Sequence, residues 1–195
     1  LTAAALKGQA DASNYLGRLY LTGNGVEINF KKAFDLFAVA ATKKHPAGQW
    51  NLGRCYHQGW GTAKDLQKAL ELFLESANAD YPNAHVSAAR MYYTGEGTEK
   101  NFQKAFDYLQ KASQHGVAEA MTMIGEMYEN GNGFSKSNVK AAEWYQKAAD
   151  LEDAAGMYKL AVLLLEGNGT EKDPINGNKW MSKAANKGNF RAKHY

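Results

Sequence analysis

The sequence predicts an all-α fold, a right-handed superhelical α/α solenoid of about five helix-turn-helix repeats with partial repeats at both ends. Three observations carry that prediction. The stretch "YLGRLYLTGNGV", Tyr15 to Val26, recurs as "NLGRCYHQGWGT", "SAARMYYTGEGT", "MIGEMYENGNGF" and "KLAVLLLEGNGT", each copy 36 residues after the last and without an insertion. Every copy ends in a Gly-x-Gly pair, which supplies the positive φ values that a helix C-cap and tight turn demand. Four residues beyond the second glycine stands Asn29, Asp65, Asn101, Ser137 or Asp173, each able to accept a hydrogen bond from the free N–H groups of a helix start. One helix therefore ends and another begins inside every period, the mark of a repeat array. On these columns the chain reads as one solenoid domain over 1–195, with repeats at about 11–46, 47–82, 83–118, 119–154 and 155–190 and partial repeats at 1–10 and 191–195.

The first helix of each repeat has small columns, Ala12, Gly48, Ala84, Ala120, Gly156 and Gly17, Gly53, Ala89, Gly125, Ala161, which let neighbouring helices approach. Its larger columns, Leu16, Leu52, Ala88, Ile124, Leu160 and Tyr20, Tyr56, Tyr92, Tyr128, Leu164, fill the space between them. The second helix is apolar at helical spacing through Ala33, Ala69, Ala105, Ala141; Leu36, Leu72, Tyr108, Trp144, Trp180; Phe37, Phe73, Leu109, Tyr145, Met181; and Ala40, Ser76, Ala112, Ala148, Ala184. Pro174, directly after Asp173, suits a first helical position, where its missing N–H costs nothing. Gly116 and Gly188, with Gly8 in the same register, are expected to close the second helix by a left-handed cap. A hairpin this small cannot bury its own apolar face, so the hairpins must stack. "AAALKG" has the register of a second-helix end and "FRAKHY" that of a first-helix start, so the array is expected to continue past both edges.

Composition narrows the class. With 45% hydrophobic and 22% charged residues in 195, the chain resembles a soluble globular protein. The longest apolar run, "LAVLLL" at 160–165, falls far short of the ~18 residues a membrane span needs. A net charge of +3 is too small to mark a phosphate-binding footprint, so nucleic acid is not an expected partner. The opening "LTAAALKG" has no basic n-region or cleavage site. Any targeting signal must lie outside these residues, and cytoplasm, periplasm, secretion and the endoplasmic-reticulum lumen all stay open.

The pattern A-x-x-x-L-G-x-x-Y-x-x-G-x-G followed by K-A-x-x-W/F-x-x-K-A-A-x-x-G resembles the Sel-1-like repeat, a relative of the tetratricopeptide repeat, over essentially the whole chain. The fifth copy departs with Leu164 for Tyr and Gly177 for Ala, and looser packing is expected there. The resemblance implies a non-enzymatic protein-binding scaffold or adaptor with no cofactor. The family includes adaptors of endoplasmic-reticulum degradation complexes, chitin-synthase activators, virulence factors that engage host proteins, and immunity proteins that neutralise secreted toxins. Cysteine-rich members linked to penicillin binding carry paired cysteines, which this chain lacks.

Residues for chemistry are scarce. Cys55 sits in the column of Leu19, Met91, Met127 and Leu163 and reads as a core thiol, and one cysteine forms no internal disulfide. The five histidines show no metal-ligand spacing. The Gly-x-Gly pairs lie at helix exits, whereas phosphates prefer helix entries. "NGT" at Asn168 is a glycosylation sequon that falls in a turn.

What varies between repeats points to a surface. In the related tetratricopeptide solenoids the first helices line the concave face, which places the columns of Asp11, Asn14, Arg18 and Leu21 in a groove. Arg18, Arg54 and Arg90 recur there at the repeat interval, flanked by Asn14, Trp50, His57 and Tyr93, then by Glu126, Glu129 and Tyr158. Val86 and Thr122 fall in the Asn14 column and are expected to face the groove as well. Aromatic and Arg side chains carry binding hot spots, and the Arg fork suits carboxylates. The expected partner is therefore a protein or extended peptide with an acidic segment. Three alternatives stand beside it: the arginines pair with acids of neighbouring repeats and rivet the stack, the ends stack copies of the chain, or a hydrolytic site surrounds His57 and Tyr93.

Overall fold

A computed structural model of the chain describes residues 9–195; the cap expected at Gly8 and the helix end expected in "AAALKG" lie outside the described residues. The described residues form helices α1 (Ala10–Thr22), α2 (Phe30–Thr42), α3 (Pro46–Gln58), α4 (Leu66–Asn78), α5 (Pro82–Thr94), α6 (Phe102–Gln114), α7 (Ala118–Asn130), α8 (Asn138–Asp150), α9 (Ala154–Glu166), α10 (Pro174–Asn186) and the short α11 (Phe190–Lys193), with no strand among them. The fold is all-α, a tandem array of helix hairpins. No helix among the described residues is long and apolar enough to cross a membrane.

First helices begin at Ala10, Pro46, Pro82, Ala118 and Ala154, so each repeat starts one residue before the boundary that the sequence columns suggested. The cause is the cap. Gln9, His45, Tyr81, Val117 and Asp153 keep extended backbones as N-caps, and the residue after each is already helical. His45 and Asp153 also close the first turn, accepting hydrogen bonds through their side chains from Gly48 N and Gly156 N. Second helices start as expected. The side chains of Asn29, Asp65, Ser137 and Asp173 accept from the backbone N–H three residues on.

Each first helix stops on a left-handed glycine, with φ from 71° at Gly167 to 81° at Gly95. The second glycine of the turn has a further reason to be glycine. At Gly61, φ 72°, an added Cβ would lie 2.2 Å from the carbonyl oxygen of Phe30, at the entry of the preceding repeat's second helix. Second helices end differently. The left-handed residue stands one place past the C-cap, and besides Gly116 and Gly188 it is Lys44 (φ 55°), Asp80 (58°) and Glu152 (62°). Those three side chains adopt a backbone that glycine would occupy without strain.

The helices divide into two compact units, one ending at Asn101 and one beginning at Phe102. In the first, Ala33, Phe37, Leu52 and Cys55 form a buried cluster. Gly17 and Gly53 let the rings of Phe37 and Phe73 lie so close that a Cβ would come within 2.6 and 2.8 Å of them. In the second, Tyr145, Leu160, Met181 and Ala184 are buried together, and Gly125 makes the same room for Tyr145. The space left by Gly177 is taken by Leu165, whose Cγ lies 2.8 Å from where the missing Cβ would stand.

Candidate functional site

A cleft of about 390 Å³ opens in the first unit between α1, α3 and the start of α5. Asn14 and Arg18 are one turn apart on α1, as Trp50 and Arg54 are on α3, so each pair shares a helix face. All four line the cleft, together with Leu21, Thr22, Ala47, Asn51, Tyr81 and Asn83.

Polar and aromatic contacts fix its walls. Asn51 is buried; its Nδ2 donates to Asn14 Oδ1 at 2.8 Å and its Oδ1 accepts from Arg54 Nη1 at 3.4 Å. Trp50 Nε1 donates to Ser87 Oγ at 2.9 Å, and the indole meets the Tyr81 ring at 5.7 Å. The Arg54 guanidinium lies over two indoles, 4.7 Å from Trp50 and 5.2 Å from Trp60. Trp60 in turn stacks on Phe30, centroids 6.1 Å apart and 13° from parallel.

Neither Arg18 nor Arg54 has a carboxylate partner among the described residues. For these two, the riveting alternative does not hold. Burial lowers the pKa of Arg54, and the Arg18 guanidinium acts in the same direction, while Cys55 and Tyr81 act against it. Arg54 still carries its charge at any physiological pH. Cys55 is fully buried and its thiol is pushed up to about 12, mainly by that burial, so it is no nucleophile.

The other expected site residues do not line this cleft. His57 Nε2 pairs with Glu96 Oε2 at 2.8 Å and its Nδ1 lies 2.9 Å from Gln58 Nε2. On α5, Arg90 is exposed and Tyr93 half-buried, and neither lines the cleft. In the second unit, Glu126 is half-buried on α7, and Tyr158 on α9 packs against the core around Tyr145 and Leu160. The Glu129 carboxylate accepts from Tyr145 Oη at 2.6 Å and from Lys159 Nζ at 2.8 Å. Two groove expectations need correction. Val86 and Thr122 are each only 5% exposed: an apolar side chain in that register turns inward, and the Thr122 hydroxyl is drawn in by Asp153 Oδ2 at 2.8 Å.

Column reading missed Asn51, Tyr81 and Trp60. Tyr81 precedes its helix and Trp60 sits inside the turn, outside any first-helix face. The signal for Trp60 was present in "GWG", the one large side chain at a position otherwise filled by Asn24, Glu96, Asn132 and Asn168.

Five copies of the Sel1 repeat are recognised, at residues 10–45, 46–81, 82–117, 118–153 and 154–189. Among solved structures, a Sel1 repeat protein from Oxalobacter formigenes is 31% identical, with a TM-score of 0.91 over 95% of this chain and 76% of that one. A protective antigen present in uropathogenic Escherichia coli strains, displaying an SLR fold, is 29% identical with a TM-score of 0.88; the match covers 97% of this chain but 41% of the antigen. An immunity protein from Pseudomonas aeruginosa is 25% identical with a TM-score of 0.64 over 95% of this chain and 68% of that one. No curated protein matches the chain.

Proposed function

The chain belongs to the Sel1 repeat family, whose members are generally protein-interaction scaffolds and typically non-enzymatic, and from that premise we propose that it holds a partner protein by an acidic segment seated in the cleft of the first unit. One observation carries the reading: Arg18 and Arg54 share that cleft, feel each other's charge and have no carboxylate partner among the described residues. A pair of like charges left unmatched in a partly dry cleft favours a ligand that brings negative charge. The flanking Trp50 and Tyr81 supply the aromatic surface that interface hot spots use. Neutralisation of a toxin is a special case of the same function, favoured by the likeness to an immunity protein.

The test is fluorescence anisotropy with a labelled polyglutamate peptide and its polyglutamine counterpart. Polyglutamate is expected to bind, less well as salt is raised, and polyglutamine not to bind. Arg18→Ala and Arg54→Ala are each expected to weaken binding by roughly 1 to 4 kcal/mol with little change in melting temperature. Equal binding of both peptides, or of both variants and wild type, sinks the proposal.

A further inference from the structure

Arg18 and Arg54 carry the same charge in the same cleft, but the protein treats them differently. Arg18 is exposed. Arg54 is half-buried, lies over the indoles of Trp50 and Trp60, and gives one N–H to the Asn51 carboxamide, whose own amino group is held by Asn14. None of these contacts offsets its charge; together they fix its orientation. A guanidinium held in one orientation presents its parallel N–H donors without further loss of side-chain freedom, the condition under which the planar fork outperforms a point charge.

Trp60 does not line the cleft. It stands between Gly59 and Gly61 in the turn after α3, rests on Phe30, and reaches Arg54 from there. Gly61, in the same turn, lies close against the backbone of Phe30 in the preceding repeat. The indole thus rests on Phe30, in a turn packed close to the preceding repeat, before it meets the guanidinium.

We propose that Arg54 reads a carboxylate of the ligand two-pronged, and that Trp60, from outside the cleft, is its positioning residue. This rests on the reading of the cleft as a site for an acidic segment. Arg18 contributes charge and Arg54 geometry. Arg18→Lys therefore keeps most of the affinity that Arg18→Ala loses, whereas Arg54→Lys loses as much as Arg54→Ala. Trp60 acts only through Arg54.

The experiment is a double-substitution cycle read by anisotropy of the labelled polyglutamate peptide, with melting temperatures recorded for every variant. Trp60→Leu is expected to weaken binding five- to tenfold, Trp60→Phe to restore most of it, and Trp60→Leu to have no further effect once Arg54 is Ala. Equal binding by Arg54→Lys and wild type, or a Trp60→Leu loss that persists in Arg54→Ala, overturns the inference while leaving the acidic-segment reading intact. Failure of wild type to bind the peptide overturns both. Should Trp60→Leu fail to fold, the Arg54→Lys and Trp60→Phe arms still decide the matter: Arg54→Lys must lose binding and Trp60→Phe must keep it.

Discussion

At Glu129 a single carboxylate joins three helices of the second unit, accepting from Tyr145 on α8 and Lys159 on α9 while itself standing on α7. Burial acts to raise its pKa, but the hydrogen bonds from Lys159 and Tyr145 outweigh that, and the group is held below the ordinary carboxylate value of 4.5. A carboxyl whose folded pKa is depressed contributes stability above its unfolded pKa and loses it as pH falls through the folded value. Glu129→Gln is therefore expected to cost about 1 to 3 kcal/mol near neutral pH, with the gap to wild type closing as pH falls below the ordinary carboxylate range. Urea melts at neutral and acid pH measure it; a gap of the same size at both would mean that shape, not charge, holds the three helices. Sequence columns assigned this residue to a groove because its register is that of Leu21, His57 and Tyr93. The partners that engage it lie 16 and 30 residues away, beyond any column.

Helices meet through matched volumes. Gly17, Gly53 and Gly125 face Phe37, Phe73 and Tyr145, while Ala161 goes with the slimmer Met181. The exchange is legible in the sequence, where Ala89 likewise accompanies Leu109. Gly53→Ala would drive a methyl to 2.8 Å from the Phe73 ring and is expected to cost about 1 to 3 kcal/mol. Phe73→Leu in the same chain recreates the Ala–Leu pair of the third repeat, and the double variant is expected to be more stable than the sum of the two single losses. Strict additivity in denaturant melts would break the volume argument. Second-helix starts and first-helix stops were equally readable, because each rests on a residue type with one dominant use. Two second-helix ends, at Gly116 and Gly188, were readable in the same way, but three were not, since Lys44, Asp80 and Glu152 take a left-handed backbone that their side chains do not advertise.

Across the whole chain the repeats were plain from the period alone; that Asn14, Arg18, Trp50 and Arg54 line one cleft accords with a placement that the resemblance to tetratricopeptide solenoids implied. The division after Asn101 was not plain, because every repeat carries the same columns and none marks a border. Leu52, buried in the first unit, tests whether that division is energetic: Leu52→Ala is expected to cost about 2 to 5 kcal/mol. Hydrogen exchange should then show protection falling more in α1–α4 than in α7–α10. Uniform loss along the chain would mean that the units open together. The contact of Gly61 with Phe30 has its counterparts in Gly97 with Leu66 and Gly169 with Asn138, so each joint is written in residues that recur every period. A crossover between misaligned gene copies that drops residues 46–81 brings Gly97 to the place Gly61 held, against Phe30, and the joint survives. A slip one residue shorter or longer meets that carbonyl with the side chain of Glu96 or Thr98. Inheritance can lengthen or shorten such an array only by whole repeats, adding or removing one wall of a cleft at a time.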